Sequence, residues 1–219
     1  MTDQPKIILA STSPRRKELF GLSGLSFSVE VADIDESTQA GELPERYVQR
    51  LARQKAQTVA ARVERRSIVI GSDTTVVLDG AILGKPQDPA EARNMLLALR
   101  NRAHSVYTGI SVSVAGSSEA STQVVSTEVC MRDYSDAEIE TYIASGDPMD
   151  KAGAYGIQNA AFSPVTDMRQ CYASVMGLPL CALATLLHSH GSAPNAAVEN
   201  ECQKFLNYKC GVYHQYLSK

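Results

Sequence analysis

The chain has 219 residues with 44% apolar content, 21 basic and 24 acidic side chains and a formal charge of −3, which suits one globular domain core and excludes general disorder. That balance, with a pI near 5.8, gives no overall attraction to nucleic acid or to an anionic membrane. Phosphate must then be bound by a local cationic pocket, and the expected partner is a small molecule. No run approaches the roughly 18 apolar residues of a membrane span, and the opening MTDQPKIILAS lacks the basic and long apolar regions of a secretory leader. The expectation is a cytoplasmic protein. Five scattered cysteines without a C-x-x-C pair read as reduced packing thiols.

Strands and helices alternate along the chain. KIILA predicts a short buried strand running into STSPRRKELFGL, a helix with Ser or Thr caps and Pro14 in its first turn. From Pro44 to about Val63, Val48, Leu51, Ala52, Ala56, Val59 and Val63 recur at helical spacing. Residues 67–78 read as a strand, and Asp79-Gly80 is a hairpin turn before AILGK. Asp88, Pro89 and Glu91 open the next helix. SVYTGISVSV and the segment around STEVCMRDY pair across the turn Gly116-Ser117-Ser118. Ser135 and Glu138 open a helix that Gly146 closes. After a loop and one or two strands, GLPLCALATLLHSHG forms the last core helix, and residues 191–198 are a linker.

Four features carry chemistry. In Ser11-Thr12-Ser13-Pro14-Arg15-Arg16-Lys17, cations crowd a helix start that already carries about half a positive charge. Hydroxyls, backbone N–H groups and guanidinium groups there make an anion site; a solvated basic turn is the plainer alternative. Asp73 is a carboxylate inside an apolar strand run, where an unpaired charge costs several kcal/mol, on the order given for buried ions. A divalent metal offsets that cost and an oriented water supplies a nucleophile, unless Asp73 is exposed at a strand end or satisfied by hydroxyls. Lys55 falls on the apolar face of its helix, and Lys85 and Lys151 sit in tight turns; each alone is usually a snorkelling side chain, but together they suit a polyphosphate. Asp33-Ile34-Asp35-Glu36 offers further acidic ligands, or is simply a solvated loop. The histidines have no zinc-like spacing.

With these residues in place, the chain resembles the Maf family over nearly all of residues 6–190. The matching stretches are LASTSPRRKEL, YVQRLARQKA, VIGSDTTVVLDG with ILGKPQDPAEA, HSVYTG, and DPMDKAGAYGIQ followed by SVMGLPL. The resemblance implies an α/β fold like that of inosine triphosphate pyrophosphatases, a twisted mixed sheet flanked by helices with a deep active-site cleft. It implies cleavage of a nucleoside triphosphate to the monophosphate and pyrophosphate. Asp73 would then be the general base or orient water through a metal, and Ser11, Ser13, Arg15, Arg16, Lys55 and Lys85 would hold phosphates. Asp73, Asp35 and Glu36 would be the metal ligands; an oxygen-ligand phosphate site points to Mg²⁺ first, with Mn²⁺ or Co²⁺ next. Arg15, Thr74 and Gln158 are similar to the branch acting on dTTP and UTP, and an amide at 158 suits the N3–H and O4 edge of uracil or thymine. A glutamate there would suit 7-methyl-GTP.

Asn159, Arg100-Asn101-Arg102 and Met168-Arg169-Gln170 depart from the family pattern, in places where glycines are usual. Residues 191–219 have no counterpart in it and read as a C-terminal extension: an added helix, a homodimer contact or a partner-binding tail. A 7-methyl-GTP pyrophosphatase and a nucleotide-binding regulator of cell division without turnover are the competing functions. Nucleic-acid binding through SPRRK is disfavoured by the acidic balance.

Overall fold

A computed structural model describes residues 5–217. The first four residues of the opening stretch, and the last two of the C-terminal extension, lie outside the described residues. Seven strands form one mixed sheet in the order β2-β1-β3-β5-β6-β7, with β4 hydrogen-bonded to β3. β1 (Ile7–Leu9) lies parallel to both β2 (Ser28–Val29) and β3 (Ile68–Leu78). The remaining pairings, β3 with β4 (Ala81–Leu83), β3 with β5 (Ala103–Val114), β5 with β6 (Ala120–Met131) and β6 with β7 (Val165–Met168), are antiparallel.

Alternation along the central strands divides the core. Ile7, Leu9, Ile68 and Ile70 join the apolar cluster beneath α1 (Pro14–Gly21) and α6 (Leu180–Ser189). Ile8, Ala10 and Val69 face Ala56 and Val59 of α2 (Pro44–Ala60). A third cluster, around Leu96, Leu99, Val129 and Ile139, joins the far end of the sheet to α3 (Pro89–Leu99) and α4 (Asp136–Ala144).

Helix α2 lies unusually close to the sheet, and two glycines allow it. A Cβ on Gly71 of β3 would stand 2.1 Å from the Ala52 carbonyl oxygen, and one on Gly109 of β5 would stand 2.3 Å from that of Val48. No side chain fits in either gap, so the helix backbone rests on bare strand. Seven helix residues at three- and four-residue spacing are buried, Lys55 among them.

Most local expectations hold. Asp79 and Gly80 both have positive φ, 51° and 80°, as a tight hairpin turn requires, and the Ser135 and Glu138 capping box is complete. Others are corrected. Ser13 occupies the N-cap of α1, but its side chain caps nothing; the Glu91 carboxylate accepts from Gln87 N at 2.7 Å rather than from the Asp88 backbone. The segment after α4 holds one strand, β7, and the short helix α5 (Tyr172–Val175), which its four residues kept from showing a periodic signal. Asn101 adopts φ +56°, and asparagine tolerates that left-handed conformation better than most non-glycine residues.

The extension folds back onto the body. Val198 and Cys202 of α7 (Val198–Leu206) are buried in the cluster with α6. The Tyr208 hydroxyl donates to the Met168 carbonyl at 3.0 Å, and Thr185 Oγ1 donates to the Tyr216 carbonyl at 2.7 Å, just ahead of the end of α8 (His214–Leu217). All five cysteines are free thiols, three of them buried. Among the described residues no helix is long and apolar enough to cross a membrane.

Candidate active site

A cavity of about 620 Å³ opens between the α1 turn, the C-terminal half of β3 and the 150–158 loop. Strand alternation supplies its centre: β3 sends Asp73 toward α2 and Thr74 toward α1. Asp73 is 6% exposed, so sequence reasoning was right that a charge sits inside an apolar strand, and the structure shows what offsets its cost. Lys55 Nζ donates to Asp73 Oδ1 at 2.7 Å and pairs with Glu36 Oε1 at 2.7 Å. Lys55 therefore does not snorkel; the close seating of α2 on Gly71 and Gly109 brings its ammonium between two carboxylates.

Burial pushes the Asp73 carboxyl above its ordinary range, opposed by the charges of Lys55 and Arg16 and assisted by Glu36. For Glu36 burial also acts upward, but the Lys55 hydrogen bond and the charges of Lys55, Lys85 and Arg16 outweigh it and hold the group below its ordinary value. The two carboxylates are thus unlike: one buried and basic, the other half-exposed and firmly ionised.

On the opposite face of β3 a chain of hydrogen bonds fixes Arg16. Its Nε donates to the Gly177 carbonyl at 2.9 Å, and its terminal nitrogens to Ser11 Oγ at 3.3 Å and Thr74 Oγ1 at 3.2 Å. Thr108 donates to the Ser174 carbonyl at 2.7 Å, so in the 2.9 Å contact between the two threonines Thr74 is the donor. Arg16 has only neutral acceptors, and burial lowers its pKa. A half-buried guanidinium without a bonded carboxylate favours an anion beside it.

The other sequence-derived residues separate. Ser11 and Ser13 line the cavity, with Ser11 Oγ accepting from Ser13 N at 3.3 Å and the Ser13 hydroxyl left open. Arg15 also lines it, with a long 3.5 Å contact to Asp150. Lys85 and Gln158 face the same space with exposed side chains that bond to no other described residue. Asp35 does not join them. It is exposed, outside the cavity lining, and its Oδ1 accepts from Ser37 N at 2.9 Å, closing a turn within its own loop. Lys17 is outside the lining as well. Lys151 lines the cavity but is not a free cation, since Asp147 and Asp150 hold its ammonium at 3.0 and 2.6 Å.

Sequence reasoning missed Tyr47 and Arg50. The Tyr47 hydroxyl donates to the Glu36 carbonyl at 2.9 Å, and Arg50 donates to the Ser37 carbonyl at 2.9 Å while gripping Glu42 with two 2.7 Å bonds. They clasp the 36–37 loop against α2 and so aim Glu36 inward. Tyr47 had a signal in its spacing, eight residues or about two helical turns before Lys55 and near the same face; Arg50 had none.

A buried basic carboxylate, a second carboxylate held ionised, and a facing arc of arginine, lysine and hydroxyl groups define a cleft for hydrolytic chemistry on a polyphosphate. The chain belongs to the Maf family: the family model described as Maf-like protein matches residues 6–190. It is 47% identical over 183 residues to a dTTP/UTP pyrophosphatase of Vibrio cholerae serotype O1, covering 84% of this chain and 97% of that protein. It is 45% identical over 185 residues to one from Alkaliphilus metalliredigens, covering 84% and 96%. Another, from Myxococcus xanthus, is 47% identical over 189 residues, covering 86% and 94%. A solved nucleoside-triphosphatase / dITP/XTP pyrophosphatase from Mycobacterium abscessus is a distant likeness, with 14% identity, a TM-score of 0.38, and coverage of 59% of this chain and 75% of that one.

Proposed function

We propose that the chain hydrolyses dTTP and UTP between the α and β phosphates, releasing the monophosphate and pyrophosphate. One observation carries the reading: the buried Asp73 carboxylate, 2.7 Å from Lys55, sits in a cavity whose other wall bears the Ser11–Arg16 turn and Lys85. The chain's relatives bear that activity in their names. The polyphosphate lies along Arg15, Arg16, Lys85 and the Ser13 hydroxyl, and the base lies toward Gln158. Water attacks the α phosphorus while Asp73 takes its proton, a role suited to a carboxyl raised by burial. The bond to the oxygen bridging to the β phosphorus breaks, and that oxygen leaves with pyrophosphate. Cations facing the leaving oxygens stabilise charge as it gathers there.

The donor set fits a divalent metal. Among the described residues no group of three or more His, Cys, Asp or Glu side chains is disposed to hold one alone, but Mg²⁺ is commonly bound by one or two carboxylates together with substrate phosphates and water. Asp73 and Glu36 are that pair in this reading, and Asp35 is left out because its carboxylate is committed to its own turn. When bound, the metal supplies Lewis-acid neutralisation of phosphate charge. The reading also places the protein in the cytoplasm, with its nucleotides.

The test is product analysis with UTP, dTTP, CTP and 7-methyl-GTP, with Mg²⁺ or chelator, for the wild-type chain and Asp73→Asn. Metal-dependent monophosphate and pyrophosphate from UTP and dTTP, reduced at least 10²-fold in the variant, on the order of a general base's contribution, is expected. Orthophosphate with a diphosphate, or a preference for 7-methyl-GTP, would overturn it.

A further inference from the structure

The 142–162 segment contains a hydrogen-bonded hub that the reaction itself does not use. The Asp147 carboxylate is its centre: Oδ2 accepts from the Tyr142 hydroxyl at 2.7 Å and from Asn159 Nδ2 at 3.1 Å, while Oδ1 accepts from Lys151 Nζ at 3.0 Å. Lys151, 6% exposed, also donates to the Asp147 carbonyl and to Asp150. The Tyr142 hydroxyl accepts in turn from Gly156 N at 2.9 Å, and Asn159 Oδ1 accepts from Phe162 N at 2.8 Å. Phe162 stacks on Tyr142 with ring centroids 4.2 Å apart and planes 10° from parallel. The loop is pressed onto this hub, since a Cβ on Gly156 would meet Lys151 Cε at 2.9 Å.

The span from 156 to 159 is thus pinned at both ends, at Gly156 through Tyr142 and at Asn159 through Asp147. Between them, Ile157 and Gln158 line the cavity, and the Gln158 amide is bonded to no other described residue. A free amide reads either of two edges: it pairs with the N3–H and O4 of uracil, or, turned over, with the N3 and N4–H₂ of cytosine. Turning over needs only rotation of the amide itself, so the backbone sets whether the amide reaches a pyrimidine edge at all, and engagement of the base depends on holding it.

We infer that Asp147 and Asn159 are positioning residues for base engagement, holding the Gln158 loop at one setting against the nucleobase edge. The inference rests on the reading of Gln158 as the base-facing group. Asp150 ties the same hub to the phosphate side through its 3.5 Å contact with Arg15.

The experiment compares kcat and KM for UTP and CTP in the wild-type chain, Asn159→Asp, Asp147→Asn and Gln158→Glu, with inorganic triphosphate as a competitive inhibitor that lacks a base. Asn159→Asp keeps the acceptor for Phe162 N and turns the contact with Asp147 into a repulsion. The expected result for both hub variants is a loss, up to roughly tenfold, of the preference for nucleotide over bare triphosphate, UTP and CTP falling together, as for one lost hydrogen bond to the base. It appears in KM, with the inhibition constant for triphosphate unchanged in Asn159→Asp; Asp147→Asn also takes a counter-charge from Lys151, so there the ratio of nucleotide to triphosphate binding is the readout. Equal losses for UTP, CTP and triphosphate, or a fall in thermal stability with unaltered preference, would overturn the inference and leave a purely structural hub. If Gln158→Glu also leaves the preference unaltered, the base-facing reading falls with it; if Gln158→Glu shifts the preference and the hub variants do not, only the positioning role falls.

Discussion

Replacing Lys55 with methionine tests the central electrostatic argument. The variant keeps the aliphatic stem packed under α2 and removes the ammonium that lies 2.7 Å from both Asp73 and Glu36. Glu36 is half-exposed and regains water, so the cost falls on Asp73, 6% exposed. Stripping one partner from a buried pair costs about 3–5 kcal/mol. Asp73 can instead escape by taking a proton, and that route caps the loss. At pH 5, protonating a group whose ordinary pKa is 3.8 costs only about 1.6 kcal/mol, at about 1.36 kcal/mol for each pH unit above that value. The sign follows from linkage: a carboxyl raised in the folded state favours folding below its unfolded pKa, and that contribution disappears as pH rises through the folded pKa. Urea unfolding should therefore show Lys55→Met losing about 3–5 kcal/mol at pH 8 and less than about 2 kcal/mol at pH 5. Adding Asp73→Asn should restore most of the loss at pH 8. An equal loss at both pH values, or a double variant no more stable than the single one, would refute the reasoning.

Gly109→Ala drives a methyl group to 2.3 Å from the Val48 carbonyl oxygen; the helix must lift, so a loss of at least about 1–3 kcal/mol in urea unfolding is expected, together with weakened turnover as Lys55 retreats from Asp73. Unchanged stability would mean that α2 does not need its close seat. His104, 4% exposed, is held neutral by burial with its pKa lowered to about 4. The unfolded chain then binds the extra proton first, so stability is full above pH 6.5 and declines as pH falls toward 4, by at most about 3 kcal/mol. His104→Gln, which retains a polar partner for the Tyr155 hydroxyl, should flatten the pH dependence of thermal unfolding across that window; an undiminished slope would assign it to other groups.

Several of the residues that line the cavity were legible one by one in the sequence. Asp73 interrupts an apolar strand, Lys55 falls on an apolar helix face, and arginines stand at a helix start where acids are preferred; each breaks a local rule, and functional sites are where such breaks are expected. Periodicity likewise placed α2, β3 and the long β5–β6 hairpin, because a buried face repeats at a fixed spacing along the chain. The order of strands, the pairing of Lys55 with two carboxylates and the clasp of Tyr47 and Arg50 on the 36–37 loop join segments far apart in sequence. No local pattern encodes them. Asp35 and Glu36, adjacent and chemically alike, show the difference most directly. The acidic run, with the family resemblance, made both candidate ligands, and only the backbone of the 35–37 turn, tied to α2, sent one carboxylate into the cleft and folded the other onto Ser37. Lys151 teaches the same lesson, as a cation in the cavity wall whose charge is already taken by Asp147 and Asp150. Sequence sets which groups are available; tertiary packing decides which of them remain unpaired, because pairing depends on distances of a few ångströms between elements that the chain order does not fix.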